Sequence, residues 1–327
     1  MKRICLFAGY DNRNIIHDYV VYYLKELSTV SDIYYMADNE ISEEEKVKIA
    51  PYVKEAYGFN HKKYDFGSWQ ELIKIIGWEK ILEYDELILA NDSVFGPLYP
   101  MKDFFTKIEK DVEWDICGIT RSFETNIWHL NSYFLVFRNK AFTSDIFKEH
   151  LLSVKQEENI SQVIEKYEVP FMYKFYNNGY SVKVFCGLNT HIYSYWQDFC
   201  SAGVPFIKKK IFEKEFFYSC HKDDWRKFIN NNYDYNINYI IDCIKNNEKY
   251  MTEYKERKVE KKKENIIDKL KKIYHIIIRI NIKKDKIYIK FLWFDIVNIN
   301  KNNYTYMLFG KPMKRKINAI PIKIIKQ

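Results

Sequence analysis

The sequence predicts an α/β fold with a basic carboxyl-terminal appendage, and three observations predict it. Short apolar runs of strand length alternate with helical spacing through the first 57 residues. A further apolar run, Leu87 to Ala90, stops abruptly at Asn91-Asp92-Ser93, and Gly96-Pro97 then forces a turn. The charge is lopsided: residues 251–327 carry 21 Lys and Arg against 7 Asp and Glu, or +14, leaving −6 for residues 1–250 of a net +8. Strand–helix alternation implies parallel strands joined by right-handed crossovers. The charge step divides the chain into an α/β domain over 1–250 and a basic appendage over 251–327.

In chain order, Arg3 to Ala8 reads as a buried first strand, followed by the loop Gly9-Tyr10-Asp11-Asn12. Residues 14–27 place apolar side chains at 15, 16, 20, 23, 24 and 27, which is helical spacing. Asp32 to Met36 is a second strand. Ser42 with Glu45 reads as a capping box opening a helix to Ala50. Val53 to Tyr57 is a third strand. Ser68 is positioned to cap a helix running to Ile81, Leu87 to Ala90 is the central strand, and Met101 to Glu109 is helical. Trp114 to Thr120 and the apolar end of His129 to Arg138 read as strands, and Thr143 to Leu152 as a helix. Ile160, Val163, Ile164 and Tyr167 form a helical face. Pro170 restarts the helix near Val169, since proline suits a first turn, and Asn177-Asn178-Gly179 ends it with a left-handed cap. Tyr180 to Cys186 is another strand. From His191 to Lys249 the chain is aromatic and irregular. The appendage opens with a charged helix, Glu253 to Tyr274, and continues in β-rich stretches at Ile287 to Phe294 and Tyr304 to Phe309.

Composition narrows the function classes. With 327 residues and 47% hydrophobic side chains, the chain supports a full core. The 28 Tyr and 23 Phe suit sugar or nucleobase partners, because Tyr offers an apolar face and a polar edge; compositional drift toward Lys, Ile, Asn and Tyr codons is the competing and weightier explanation. The six Cys are scattered without a C-x-x-C pair, so neither a zinc site nor a disulfide framework is indicated. The chain opens on Met1-Lys2-Arg3 without a signal-peptide apolar region, and holds no run of about 18 apolar residues. The expectation is a cytoplasmic, reducing compartment. No G-x-G-x-x-G follows the first strand, so the dinucleotide fingerprint is absent.

The chemistry-bearing residues gather where strands end. Open α/β sheets bind ligands at the carboxyl edge of their strands. Asp92 stands there after the most buried run and is a candidate ligand for a divalent cation that would hold a diphosphate. The competing reading is a turn cap. Asp65 and Gly67 precede a helix in Lys63-Tyr64-Asp65-Phe66-Gly67-Ser68-Trp69, a loop suited to a nucleotide sugar or to an ordinary helix entry. His129, Asn131 and Ser132 bring polar side chains into a buried strand and are candidate acceptor contacts, as is Trp196 in the aromatic stretch.

Together these residues resemble a known family. Tyr64-Asp65-Phe66-Gly67-Ser68-Trp69, Asn91-Asp92-Ser93-Val94-Phe95-Gly96-Pro97-Leu98, His129-Leu130-Asn131-Ser132-Tyr133-Phe134, Tyr167-Glu168-Val169 and Gly203-Val204-Pro205-Phe206-Ile207-Lys208 are similar to motifs of the rhamnan synthesis protein F family, in the same order, across residues 3–245. These are bacterial glycosyltransferases of surface polysaccharide assembly. The resemblance implies a GT-A-like, Rossmann-type mixed sheet flanked by helices, with a nucleotide sugar bound across its carboxyl edge. It implies inverting transfer of a sugar, rhamnose among the candidates, onto a growing capsule, O-antigen or rhamnan. Asn91, Asp92 and Ser93 stand where many such enzymes carry Asp-x-Asp, so only one carboxylate is kept for Mg2+ or Mn2+. Tyr167-Glu168-Val169 keeps only the first acid of the Glu-Asp pair seen in many inverting enzymes. On this reading Glu168 is the catalytic base, with a helix amino terminus lowering its basicity. Asp11, Asp65, Gly67, Asn91, Asp92 and Ser93 contact the donor, and His129, Asn131, Ser132 and Trp196 the acceptor.

The implied partners are a nucleotide-sugar donor and a glycan or lipid-linked glycan acceptor. The basic clusters Lys261-Lys262-Lys263, Lys271-Lys272 and Lys314-Arg315-Lys316 imply a peripheral contact with the inner face of the cell membrane. Two other classes stay open at this point. A nucleotidyl- or phosphotransferase acting on a glycan precursor would share the phosphate site without needing Glu168. A nucleic-acid-binding protein would use the basic tail, but the positive charge is confined there and no nucleic-acid module is recognisable.

Overall fold

The computed structural model describes residues 1–110, 113–122, 128–212 and 224–246, together with the backbone of five strands between residues 278 and 316. Two compact units divide the chain, Met1–Asn246 and Asn247–Gln327.

The first unit opens with β1 (Arg3–Gly9), α1 (Asp18–Ser28), β2 (Asp32–Ala37), α2 (Glu43–Ile49) and β3 (Glu55–Gly58). β1 pairs parallel with β2, and β2 with β3, as the alternation predicts. α1 starts later than its apolar spacing, because Asn14 turns the chain left-handed at φ 62° and Glu45 takes the Ile16 N–H. Ser42 does cap α2, accepting the Glu45 N–H at 3.4 Å.

The next helix corrects the sequence reading. α3 spans Tyr64–Ile76, and a one-turn α4 (Trp78–Ile81) comes after it. Ser68 is therefore not the cap. It lies inside α3, buried, with its hydroxyl 3.0 Å from His61 Nε2. The entry is instead fixed by Asp38, at the end of β2, which accepts the N–H groups of Lys62, Lys63 and Tyr64 at 2.7–3.1 Å. Gly77, at φ 81°, breaks the expected run to Ile81 in two.

β4 (Glu86–Asn91), β5 (Val94–Phe95), α5 (Met101–Glu109), β6 (Ile116–Gly118), β7 (Arg121–Ser122), β8 (His129–Leu130) and β9 (Phe134–Arg138) come next. They are followed by α6 (Asn139–Phe142), α7 (Asp145–Leu152), α8 (Ile160–Val163), α9 (Val169–Asn177), β10 (Val182–Val184), α10 (Trp196–Ser201), β11 (Ile207–Lys208) and α11 (Trp225–Asn232). The main sheet has the order β10-β6-β9-β4-β1-β2-β3. β4 is parallel to β1, whereas β9 runs antiparallel to both β4 and β6. The sheet is thus mixed and flanked by helices.

The central strands are buried on both faces. Ile88 and Ala90 pack into one core with α1 and α5, while Leu87 and Leu89 pack into the other with α3, α7 and α9. At the amino end of β4, Glu86 accepts from Arg3 Nε on β1 at 2.6 Å and meets Arg138 Nε on β9 at 3.6 Å. This cross-strand trio holds the register of the three central strands at the end opposite the site. Toward the carboxyl end, buried Trp69 donates its Nε1–H to the Ala90 carbonyl at 3.2 Å. An indole hides ~150–250 Å², which at ~25 cal/mol per Å² contributes about 4–6 kcal/mol. That packing makes α3 a rigid support for the residues at its start.

The second unit contains a five-stranded antiparallel meander, β12 (Ile278–Lys283), β13 (Lys286–Phe291), β14 (Phe294–Ile299), β15 (Asn303–Leu308) and β16 (Lys311–Lys316). Both β-rich stretches expected from the sequence contain strands of this sheet. The expected helix Glu253 to Tyr274 and the clusters Lys261-Lys262-Lys263 and Lys271-Lys272 lie outside the described residues.

Candidate active site

Successive side chains of a strand point to opposite faces. This alternation decides what the end of β4 can do. Leu87 and Leu89 face the α3 side, so Asn91 does too; Ile88 and Ala90 face the α1 side, so Asp92 joins them. Asn91 donates its Nδ2–H to Asp65 Oδ2 at 2.9 Å, and its Oδ1 accepts the Ser93 N–H at 3.1 Å and the Ser93 hydroxyl at 2.6 Å. Asp92 instead accepts the Tyr10 N–H at 3.1 Å, and its carbonyl accepts the Tyr19 hydroxyl at 3.0 Å. Two adjacent residues of one motif therefore build two different corners.

On the α3 side a cavity of about 440 Å³ opens at the carboxyl edge of β4. Asp65, Asn91 and Ser93 line it from α3 and the end of β4, and His129, Asn131 and Ser132 from β8 and the loop after it. Glu168 and Ile164 enter from the helical run, and Lys208 and Lys210 from β11 and the turn beyond. Glu168 Oε1 accepts the Ser132 N–H at 2.9 Å, which joins two motifs that the sequence kept 36 residues apart. Asn131 Oδ1 accepts the Thr120 hydroxyl at 2.9 Å, fixing that wall to the link between β6 and β7.

Glu168 does not stand at a free helix terminus, and this corrects the expectation. α8 passes into a π-helical turn, Ile164–Glu168, and then into α9, with Val163, Glu168 and Val169 all right-handed. The wider turn accommodates Pro170, which has no N–H to give to an ordinary helix ladder. A π-turn also rotates the residues at its carboxyl end about the helix axis, and here that rotation brings Glu168 into the cavity. The dipole of a fresh helix start, expected to weaken Glu168 as a base, is absent.

Asp65 and Glu168 form a pair of acids in one cavity. Burial first, and then the Glu168 charge, push the Asp65 carboxyl up to about 6, against the N–H groups of Phe66 and Asn91 that favour its ionised form. A carboxylate poised near neutrality beside a second acid is characteristic of reactive sites.

The α1-side corner has a different character. Asp11 meets Arg13 Nη2 at 3.3 Å and His17 Nε2 at 3.0 Å. Burial raises its pKa, but the His17 and Arg13 hydrogen bonds outweigh it and hold the carboxyl at about 2. Burial keeps the Asp92 carboxyl above its usual range despite Lys209 and the Tyr10 N–H. Among the described residues no group of three or more His, Cys, Asp or Glu is placed to hold a metal ion. The corner thus offers a divalent cation two carboxylates at most, one of them already tied to Arg13 and His17.

Of the expected site residues, the cavity gathers Asp65, Asn91, Ser93, His129, Asn131, Ser132 and Glu168. Asp11 and Asp92 lie in the neighbouring corner. Gly67 lies inside α3, where a Cβ would come within 2.1 Å of Lys63 Cβ and 2.9 Å of His61 Nδ1, so its smallness serves the packing of α3 on its own entry loop. Trp196 is fully buried, edge-on to Phe228, and turns no face toward the cavity. The sequence reading missed Arg121, His191 and Lys210 as cavity residues and gave Lys208 no role. Three consecutive lysines after a Gly-x-Pro turn were the available signal.

A polar, acid-paired cavity at the carboxyl edge of the central strand is where an α/β enzyme binds its ligand. The chain belongs to the rhamnan synthesis protein F family, whose model matches residues 33–289. The match extends past residue 245 into the second unit, farther than the motif resemblance reaches. No curated protein matches the chain at a significant level. Among solved structures, a nucleotide-diphospho-sugar transferase from Desulfovibrio desulfuricans is similar at 12% identity and a TM-score of 0.35, over 70% of this chain and 97% of that one. The glycosyltransferase GlyE of Streptococcus pneumoniae is similar at 12% identity and 0.41, over 76% of this chain and 64% of that one. Core-mannan synthase A of Aspergillus fumigatus, solved in an Mn/GDP form, is similar at 9% identity and 0.28, over 45% of this chain and 62% of that one.

Proposed function

We propose that this chain is an inverting glycosyltransferase that moves a sugar, rhamnose in the first instance, from a nucleotide-sugar donor to a hydroxyl of a growing surface polysaccharide. The observation that carries the reading is the Glu168 carboxylate, turned into the cavity and held there by the Ser132 N–H beside Asp65. Glu168 takes the acceptor hydroxyl proton. The acceptor oxygen then bonds to the anomeric carbon as the bond from that carbon to the diphosphate breaks, and the nucleoside diphosphate leaves with the electron pair. Positive charge develops on the sugar in that transition state, and the Asp65 carboxylate favours it electrostatically. Asn91 and Ser93 orient the donor beside Asp65, while His129, Asn131 and Ser132 face the acceptor.

Incubation of the full chain with a panel of nucleotide sugars, scoring the released nucleotide, tests this. The expected result is slow release of nucleoside diphosphate from one donor, accelerated by a glycan acceptor. Release of nucleoside monophosphate or pyrophosphate instead would mark a nucleotidyl- or phosphotransferase.

A further inference from the structure

A nucleoside diphosphate leaving group carries multiple negative charges, and something cationic must meet them. Family expectation points to a divalent cation on Asp92. The structure gives Asp92 a different setting. Its side chain lies on the α1 side of β4, engaged with the Tyr10 N–H, and its nearest acid, Asp11, is already paired with Arg13 and His17.

The lysines are placed otherwise. β11 pairs antiparallel with β5, setting Ile207 opposite Phe95 and Lys208 opposite Val94. The Lys209 N–H donates to the Ser93 carbonyl at 3.0 Å, and the Leu98 N–H to the Pro205 carbonyl at 2.8 Å. This lacing holds the basic segment directly against the turn at the end of β4. Gly96 permits it, since a Cβ there would stand 2.5 Å from the Pro205 carbonyl oxygen. β11 ends at Lys208, and the chain turns at once into a short 3₁₀ helix, Lys209–Phe212. Lys208 and Lys210 line the cavity with Ser93, whereas Lys209 turns away and donates to the Tyr19 hydroxyl at 2.6 Å. The Lys208 ammonium sits 4.3 Å above the Tyr133 ring centroid, a cation–π contact that positions it at the cavity wall.

We infer that Lys208 and Lys210 neutralise the leaving diphosphate, so that donor binding does not require a divalent cation. This rests on the nucleotide-sugar function proposed for the cavity and assigns the charge partner within that same site.

Titration calorimetry of the full chain with UDP, GDP and dTDP, in EDTA and in Mg2+, tests it, with the matching monophosphates as controls. The expected result is that one diphosphate binds in EDTA and that Mg2+ changes its Kd little. Lys208→Met and Lys210→Met should each weaken it by about 10–100-fold, the range for a hydrogen bond to a charged group. The monophosphate should be affected less, and Lys208→Arg should recover most of the loss because it keeps both the charge and the contact with Tyr133. Thermal melts of each variant establish that the fold is intact. A strict Mg2+ requirement, or indifference to both Lys→Met changes, overturns the inference. Failure of every diphosphate to bind under both conditions overturns the donor reading itself, and the inference with it.

Discussion

Glu168→Gln is expected to lower turnover by about 10²–10⁴-fold while leaving donor affinity unchanged. Gln keeps the length of Glu and an oxygen to accept the Ser132 N–H, so the cavity wall should hold its shape. Only the capacity to take a proton from the acceptor is lost. A second signature separates this role from a structural one. The Glu168 charge is one of the two causes that raise the Asp65 pKa. Removing it should let Asp65 relax downward, and the acid limb of the residual activity should move to lower pH. Steady-state kinetics across pH 5–8, with donor titration at one pH, give both readouts. A variant that loses donor affinity and keeps its turnover would make Glu168 a binding group.

Asp65→Asn should cost about 10²-fold or more in transfer, the scale of removing one preorganised charge partner, and yet stabilise the protein at neutral pH. The sign comes from the raised carboxyl. The Asp65 pKa is about 6 in the folded chain against an ordinary 3.8. Between those values the folded state holds more protons than the unfolded one, so stability falls as pH rises through that window. The full difference above pH 6 is on the order of 3 kcal/mol. Asn has no charge to lose but can serve only one of the two donors that Asp65 now satisfies, a loss of about 1 kcal/mol. The variant should therefore melt below the parent at pH 4 and above it at pH 7.5. Denaturant titrations at the two pH values decide. A variant less stable at both would mean that Asp65 sits comfortably as a carboxylate.

Much of this arrangement was legible in the sequence, for identifiable reasons. The strands and helices through residue 58 announce themselves by period, and Leu87 to Ala90 by its abrupt polar end. Paired motifs also found the cavity: Asp65, Asn91, Ser132 and Glu168 meet although they come from four separate stretches of the chain. The features that stayed hidden depended on geometry that no local pattern encodes. Asp38 caps α3 from 26 residues upstream, so Ser68 looked like the cap. The π-turn before Pro170 reads as a helix break in sequence and becomes a bulge in space, because Pro170 needs only a missing ladder bond. Strand alternation sends Asn91 and Asp92 to opposite faces, which splits a motif that reads as one unit. Trp196 read as an acceptor contact in the aromatic stretch, but helix α10 turns it inward onto Phe228.

The central claim is that one cavity seats the donor with its anomeric carbon beside Glu168 and its diphosphate on the lysine wall. A crystal structure of the Glu168→Gln chain with its donor, grown from the nucleotide sugar that the panel selects, tests this most directly. The expected complex has the diphosphate oxygens within hydrogen-bond reach of Lys208 and Lys210. Its sugar lies between Asp65 and residue 168, with room for an acceptor oxygen about 3–3.5 Å from the anomeric carbon. A donor bound with its diphosphate on Asp11 and Asp92 through a metal, and its sugar outside the cavity, would contradict it.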